Sequence, residues 1–363
     1  MSLDEKKILY FCSSSVYGGA ERFVETCLEF HKRNNENACV FFLNSGVFSE
    51  RCKEQGFEVY ENNFRVRLSR PFSWLRFQFH FSQFIKDNQI SIVHLTMAYS
   101  QIFGSIGAWL GSAKTVWFQH GPIGGIVDRV ANLLPYNHLL FNSSFTQSEH
   151  ILKAGPIKSR HSLVDLGVYT SFDKIEVYKI SQQYPGHRFI CMGRICRWKG
   201  YENAIKALDQ IESIWSLLIV GSASTQDDQV YLNELKELVQ LKGLQKKVHF
   251  LGFKDNVHNY VKASHALIHC STIPEPYGLV VSEAISLGVH VFAPNSGGVI
   301  GQIKSGSQGY LYKNNNDLIE AVRQFIEVKT LIAVELPELN VQPLNENVTL
   351  MMNQLAHVYK SLG

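Results

Sequence analysis

The strongest constraint on this chain is an alternation: short β-branched or aromatic runs are separated by amphipathic helical stretches along most of its length. Strands joined through helices are parallel, because a parallel pair needs a long crossover, and the helices then cover the faces of the sheet. Ile8–Cys12 reads as a first strand, followed by a Ser/Gly turn and a helix from about Ala20 to Lys32. Ala38–Leu43, Ser91–Leu95, Thr115–Phe118 and His138–Phe141 continue the series. A second series runs through Arg188–Met192, Ser216–Val220, Val248–Leu251, Ala266–Cys270, His290–Ala293 and Gly309–Tyr312. Tyr231–Leu241 and Leu279–Leu287 read as helices within it, and Asn347–Leu362 as a terminal helix. A chain of 363 residues is too long for one core and fits two. The predicted organisation is an α/β domain over 1–170, a polar linker over 171–187 that contains Pro185-Gly186, a second α/β domain over 188–344 and a terminal helix over 345–363.

Charge and cysteine content exclude several classes. The net charge is +3, with 17 Lys/Arg against 14 Asp/Glu in residues 1–170 and 18 against 18 in 171–363. That is too weak for a nucleic-acid binder, which needs a strong basic stripe. The excess is concentrated in Asn62–Lys86, where Arg65, Arg67, Arg70, Arg76 and Lys86 meet no acid and Phe64, Phe72, Trp74, Phe77, Phe79, Phe81 and Phe84 interleave. Such a segment lies at an anionic membrane surface, or packs as core helix with a solvated basic edge. Seven cysteines without a C-x-x-C pair read as small buried hydrophobes of a reducing compartment. The N-terminal Asp4-Glu5-Lys6-Lys7 does not resemble a signal peptide, and no apolar run reaches the ~18 residues of a membrane span. The expected location is cytoplasmic, with peripheral contact at the inner membrane face through Asn62–Lys86.

Three motifs carry chemistry. Tyr17-Gly18-Gly19-Ala20-Glu21 sits between a strand and a helix, where glycines admit a ligand to the backbone and helix N–H groups meet a phosphate; a tight turn explains it equally. Gly193-Arg194-Ile195-Cys196-Arg197-Trp198-Lys199-Gly200 follows the first strand of the second series. Arg194 and Lys199 can turn two cations toward one diphosphate, or form a solvated basic loop. Glu275-Pro276-Tyr277-Gly278-Leu279-Val280-Val281-Ser282-Glu283 is the most specific. Pro276 and Gly278 keep Glu275 on a loop, while Glu283 lies inside the helix that begins near Leu279. The two acids therefore address different parts of a ligand with a helix N-terminus between them, a layout that suits a nucleotide sugar.

These motifs, with Gln119-His120-Gly121, Gly221 after Leu217–Val220, Leu251-Gly252-Phe253 and Asn295-Ser296-Gly297-Gly298, come in the order and spacing of retaining glycosyltransferases. The whole chain resembles the large family 4, or "group 1", most strongly over 188–305. The resemblance implies the GT-B fold, two facing Rossmann-like domains with parallel sheets and a C-terminal helix that crosses back to the first, acceptor-side domain. It implies that Arg194 and Lys199 neutralise the diphosphate and that Glu283 holds the ribose. Glu275 and the amides of Gly278, Leu279 and Val280, beside Tyr277, would hold the transferred sugar and the phosphates. Gly19 and Gly221 would approach the donor closely, His120 would contact the sugar, and Phe253-Lys254 would face the base. Two departures stand out: Val299-Ile300-Gly301-Gln302 replaces the usual acid of G-G-x-x-E, and Asp165-Leu166-Gly167-Val168 replaces an Asn-Gly-Val-Asp run.

The expected activity is retaining, metal-independent transfer of a hexose from a nucleotide sugar to a glycan or lipid-linked acceptor in polysaccharide or glycoconjugate biosynthesis. UDP-glucose or another UDP-hexose is favoured because such donors are common among relatives. No D-x-D, H-E-x-x-H or paired Cys/His spacing occurs, so no metal or other cofactor is expected, and leaving-group charge falls to Arg194, Lys199 and a helix N-terminus. A non-catalytic nucleotide-sugar or glycan-binding relative, a sugar-nucleotide epimerase and a phosphorylase of the same fold are the alternatives.

Overall fold

A computed structural model of the chain describes residues 6–13, 17–303, 308–331 and 346–363. The chain divides into a first unit, Met1–Val168 with Glu346–Gly363, and a second, Tyr169–Asn345. The predicted boundary at 344/345 and part of the turn after the first strand lie outside the described residues.

In the first unit, strands β1 (Lys7–Cys12), β2 (Ala38–Phe42), β3 (Val59–Glu61), β4 (Ile90–Thr96), β5 (Lys114–Gln119), β6 (His138–Phe141) and β7 (Arg160–Leu163) alternate with helices α1 (Gly19–Arg33), α2 (Val47–Glu54), α3 (Pro71–Asp87), α4 (Met97–Leu110), α5 (Ile126–Leu133) and α6 (Ser144–Lys153). The strands form one parallel sheet in the order β3-β2-β1-β4-β5-β6-β7. In the second unit, α7 (Lys174–Gln183), β8 (His187–Met192), α8 (Tyr201–Asp209), β9 (Trp215–Val220), α9 (Gln226–Leu241), β10 (Val248–Gly252), α10 (Val257–Ala263), β11 (Ala266–Ile268), α11 (Leu279–Ser286), β12 (His290–Pro294), β13 (Gly309–Tyr312) and α12 (Asn315–Leu331) follow. Their strands form a second parallel sheet, β10-β9-β8-β11-β12-β13. These are two Rossmann-like domains of the GT-B architecture. Strand order reverses between β1 and β4 and between β8 and β11, and the carboxyl ends of the strands flanking such a reversal are where open α/β sheets bind ligands.

The terminal helix α13 (Glu346–Ser361) belongs to the first unit. Its Tyr359 hydroxyl hydrogen-bonds to His94 Nδ1 at 2.7 Å in the buried core, and Lys6 Nζ donates to the carbonyls of Tyr359 and Gly363. The run Asp165–Val168 serves this docking: the Asp165 N–H donates to Gln354 Oε1 and the Gly167 N–H to Met351 Sδ.

The structure departs from the sequence reading at three places. Residues 171–187 are not a linker: Asp173 caps α7 by accepting from the N–H groups of Ile175 (2.8 Å) and Glu176 (3.0 Å), and Ile180 and Tyr184 enter the second unit's core. With Ile180 its only buried residue, α7 has little apolar periodicity to read. Strands β3 and β7 were not anticipated, since both are short outer strands and β7 (Arg-His-Ser-Leu) has no fully buried residue. Strand β11 stops at Ile268 instead of Cys270. In the basic, aromatic stretch, Phe77 and Phe81 of α3 pack with Phe11 and Phe41 in the core, while Phe72 and Phe79 stay exposed.

Candidate active site

The second unit's sheet ends in three glycines side by side: Gly193 after β8, Gly221 after β9 and Gly252 closing β10. The Gly193 N–H donates to the Val220 carbonyl (3.0 Å) and the Gly221 N–H to the Gly252 carbonyl (2.9 Å). A Cβ on Gly221 would stand 1.8 Å from the Gly193 carbonyl oxygen, so only glycine allows this approach. Beyond Gly193 the backbone makes a short 3-10 turn, Arg197–Lys199, and its end is sewn to the loop after β11, where the Thr272 N–H donates to the Trp198 carbonyl at 2.8 Å.

That seam brings Lys199 to Glu275, across the reversal of strand order. Lys199 Nζ donates to Glu275 Oε1 at 2.5 Å, with both side chains nearly buried. The same oxygen accepts from His269 Nε2 (2.9 Å) and Ser271 Oγ (2.5 Å). Burial alone would raise the pKa of Glu275, but the charge and hydrogen bonds of His269 and Lys199 outweigh it and hold the carboxyl well below its ordinary 4.5. Glu275 is therefore an oriented, ionised carboxylate on a loop. Arg194 lies in a different environment, half exposed and 4.0 Å from Asp228.

Helix α11 begins at Leu279, as the Pro-x-Gly break predicts. Gly278 supplies its N-cap with φ +92°, a left-handed conformation, and among the described residues no side-chain cap bonds the amides that follow, Leu279 and Val280 among them. Glu283 is buried within this helix, Tyr277 is buried just before it, and Leu279 and Val280 are half-buried. The Asn295–Gly298 loop forms the supporting wall: the Gly298 N–H donates to the Glu275 carbonyl (2.8 Å) and Gln302 Nε2 to the Tyr277 carbonyl (2.5 Å). Gln302 thus clamps the loop that carries Glu275, while a side chain at Gly301, the position of the usual acid, would meet nothing within 4 Å. Phe253 is exposed beyond β10, and Lys254 lies 5.8 Å from the Tyr260 ring.

In the first unit, His120 follows β5 at the carboxyl end of the sheet. Its ring packs on Phe118 (3.9 Å between centroids) and on Phe23 (4.7 Å), one turn after Gly19, the first residue of α1. Among the described residues neither ring nitrogen has a hydrogen-bond partner, and burial pushes the pKa down to about 3, so the imidazole is neutral. A neutral imidazole carries one donor and one acceptor, and both of these nitrogens are buried.

His269 and Ser271 were missed from the sequence. The available signal was a His-Cys-Ser run ending a strand six residues before Glu275; absorbing His269 and Cys270 into the strand concealed it. Among the described residues no three His, Cys, Asp or Glu side chains converge in a way that could hold a metal ion.

Residues 179–337 match the family described as glycosyl transferases group 1. Over 141 residues the chain is 29% identical to the lipopolysaccharide core biosynthesis mannosyltransferase LpsB of Rhizobium meliloti, covering 38% of this chain and 40% of that protein. Over 216 residues it is 28% identical to the mouse GDP-Man:Man(3)GlcNAc(2)-PP-Dol alpha-1,2-mannosyltransferase, covering 54% and 41%. The chain thus spans about two fifths of the length of these relatives. Anabaena Alr3699/HepE in complex with UDP superposes with a TM-score of 0.83 at 22% identity, over 98% of this chain and 100% of that one. The match over residues 179–337 takes in most of the second unit of this GT-B chain, the Lys199–Glu275 centre included, and marks that unit as similar to the glycosyl transferases group 1.

Proposed function

We propose that the chain is a retaining hexosyltransferase that uses a nucleoside diphosphate hexose. The observation that carries this reading is Glu275: a buried carboxylate held by three donors through one oxygen, next to a helix N-terminus with no side-chain cap among the described residues. Its second oxygen then accepts from a hydroxyl of the transferred sugar, and the amides of Leu279 and Val280 receive the diphosphate. An ammonium carries three donors, so Lys199 holds Glu275 with one and offers another to a phosphate oxygen, while Arg194 supplies the outer charge. Gly19 and Gly221 admit the donor near the backbone, Glu283 holds the ribose, and Phe253 and Lys254 meet the base. His120 offers a neutral ring to the sugar.

In the reaction the bond from the anomeric carbon to the diphosphate oxygen breaks. The acceptor oxygen bonds to that carbon on the same face, and its proton passes to the leaving phosphate. Charge on the leaving group is met by Lys199, Arg194 and the α11 amides, without a metal. The acceptor is a glycan or a lipid-linked sugar.

For the donor we favour a UDP-hexose, supported by the likeness over nearly the whole chain to a protein solved with UDP and with UDP-glucose. GDP-mannose is the second reading, favoured by mannosyltransferases among the sequence relatives. Calorimetric titration with UDP, GDP and ADP, followed by donor hydrolysis with UDP-glucose and GDP-mannose, separates them. Glu275→Gln is expected to lower turnover by about 10²-fold while the nucleotide still binds. Wild-type turnover in that variant would sink the assignment; nucleotide binding without any turnover in the native chain would favour the non-catalytic alternative.

A further inference from the structure

Helix α5 buries polar side chains beside Ala131 and leaves apolar ones outside. Two of its polar residues face inward: Asp128 accepts from Gln119 Nε2 (2.8 Å) and from the N–H groups of Gly124 and Gly125, and Asn132 donates to the Ala154 and Pro156 carbonyls. These bonds set the rotation of the helix and leave Ile126 (78% exposed), Val130 (42%) and Leu133 (71%), at i, i+4 and i+7, in a row on the outside. Helix α3 is apolar on two sides: Phe77, Phe81 and Ile85 are buried, while Phe72 (86% exposed), Leu75 and Phe79 lie on the opposite face, beside the exposed Arg76 and Gln83. Helix α3 packs on α4 and α4 on α5, so both rows belong to one helical layer of the first unit.

The exposed charges beside these two rows are positive, and the one exposed acid of the three helices, Asp87, ends α3 away from Phe72. Among the described residues Arg65, Arg67, Arg70 and Arg76 have no ion pair with an acid, and Arg129 stands among the α5 row. Across α3, α4 and α5 the acids are the buried Asp128 and Asp87 at the far end of α3. Apolar side chains ringed by arginines are what an anionic lipid surface binds, with the rings and aliphatic chains entering the headgroup boundary and the guanidinium groups meeting phosphates. A two-fold contact with a second copy would set these arginines against one another. We propose that the α3–α5 layer docks on an anionic lipid bilayer. Each helix follows its strand, so the N-terminal ends of α3 and α5, with Phe72 and Ile126, lie at the carboxyl end of the sheet, the end that carries His120.

Co-sedimentation of the full chain tests this, using vesicles of phosphatidylcholine alone and of equal parts phosphatidylcholine and phosphatidylglycerol. Binding to the anionic vesicles is expected to be at least about tenfold tighter and to weaken with salt. Phe72→Ser/Ile126→Ser should lose about tenfold of it, and Arg65→Glu/Arg70→Glu should lose more. UDP binding and the unfolding midpoint of the same samples should not change, which separates a failure of docking from a failure of the donor assignment or of folding. The proposal is overturned by absence of binding to anionic vesicles at low salt, by equal binding of Phe72→Ser/Ile126→Ser, or by a dimer in solution that those substitutions dissolve.

Discussion

The two units bury their titratable side chains in different electrostatic states. The first unit buries neutral histidines. His94 and His120 are driven neutral by burial, His138 and His150 are pushed down to about 4, and His120 and His150 have no partner on either ring nitrogen among the described residues. The second unit buries an ion pair, Lys199 and Glu275, with His269 and Ser271 on the same carboxylate oxygen. A neutral ring without a partner is tolerable because its desolvation cost is modest. A buried carboxylate is tolerable when hydrogen bonds compensate it, as they do at Asp128 of the first unit, or when opposite charge joins them, as at Glu275. The first unit can thus offer hydrogen bonds to an uncharged sugar or acceptor, and the second can accept an anionic diphosphate without losing its own carboxylate.

The comparison can be broken most sharply at Lys199. Lys199→Ala should lower turnover about 10²–10³-fold and cost about 3–5 kcal/mol of stability, because it strands Glu275 without its cation. Adding Glu275→Gln should recover much of that stability, read by urea unfolding, but none of the activity. Arg194→Ala, at a half-exposed position, should lose activity with stability changed by less than about 0.5 kcal/mol. If both cations behave alike, the buried pair is not the centre of the site.

His120→Phe tests the neutral side. Replacing a buried, unpartnered imidazole by an apolar ring should leave stability unchanged or raise it by about 1 kcal/mol, while turnover falls about 10–100-fold as a sugar hydrogen bond is lost. Unchanged kinetics would make His120 a packing residue.

The pH dependence of stability tests the same contrast. His120 has a folded pKa of about 3 against an ordinary 6.5, so between those values the unfolded chain binds a proton that the folded chain does not. Stability should fall as pH drops through this window, by about 1.4 kcal/mol per pH unit for this ring, and His120→Phe should flatten the slope. His94, His138 and His150 act in the same direction. Glu275 has a lowered folded pKa, so its contribution is complete above 4.5 and is lost only as pH falls below that. His187 and His249 of the second unit, also lowered by burial, act in the same direction, and urea midpoints from pH 7.5 down to 4 should fall, with a shallower slope in His120→Phe.

Much of this arrangement is legible in the residues themselves. Parallel sheets follow from the alternation of apolar runs and helices, and Pro276 with Gly278 dictates that Glu275 leaves the helix while Glu283 stays in it. Strands β3 and β7, at the two edges of their sheet, and helix α7 escape the same reading because each buries too few side chains to leave a period. The pairing of Lys199 with Glu275 escapes it for another reason. The two residues are 76 positions apart, and only the seam from Trp198 to Thr272 makes them neighbours.

The sequence by itself determined two parallel α/β units, the placement of the motifs after their strands and the identity of the charged groups, because periodicity and turn chemistry are local properties. Tertiary structure alone decided which groups are ionised and which face outward. Glu275 keeps its charge because β11 delivers His269 and Ser271 beside Lys199, and α5 turns its apolar row to solvent because Asp128 and Asn132 find their partners inside. Burial and hydrogen-bond partners come from residues distant in the chain, and no local pattern encodes them.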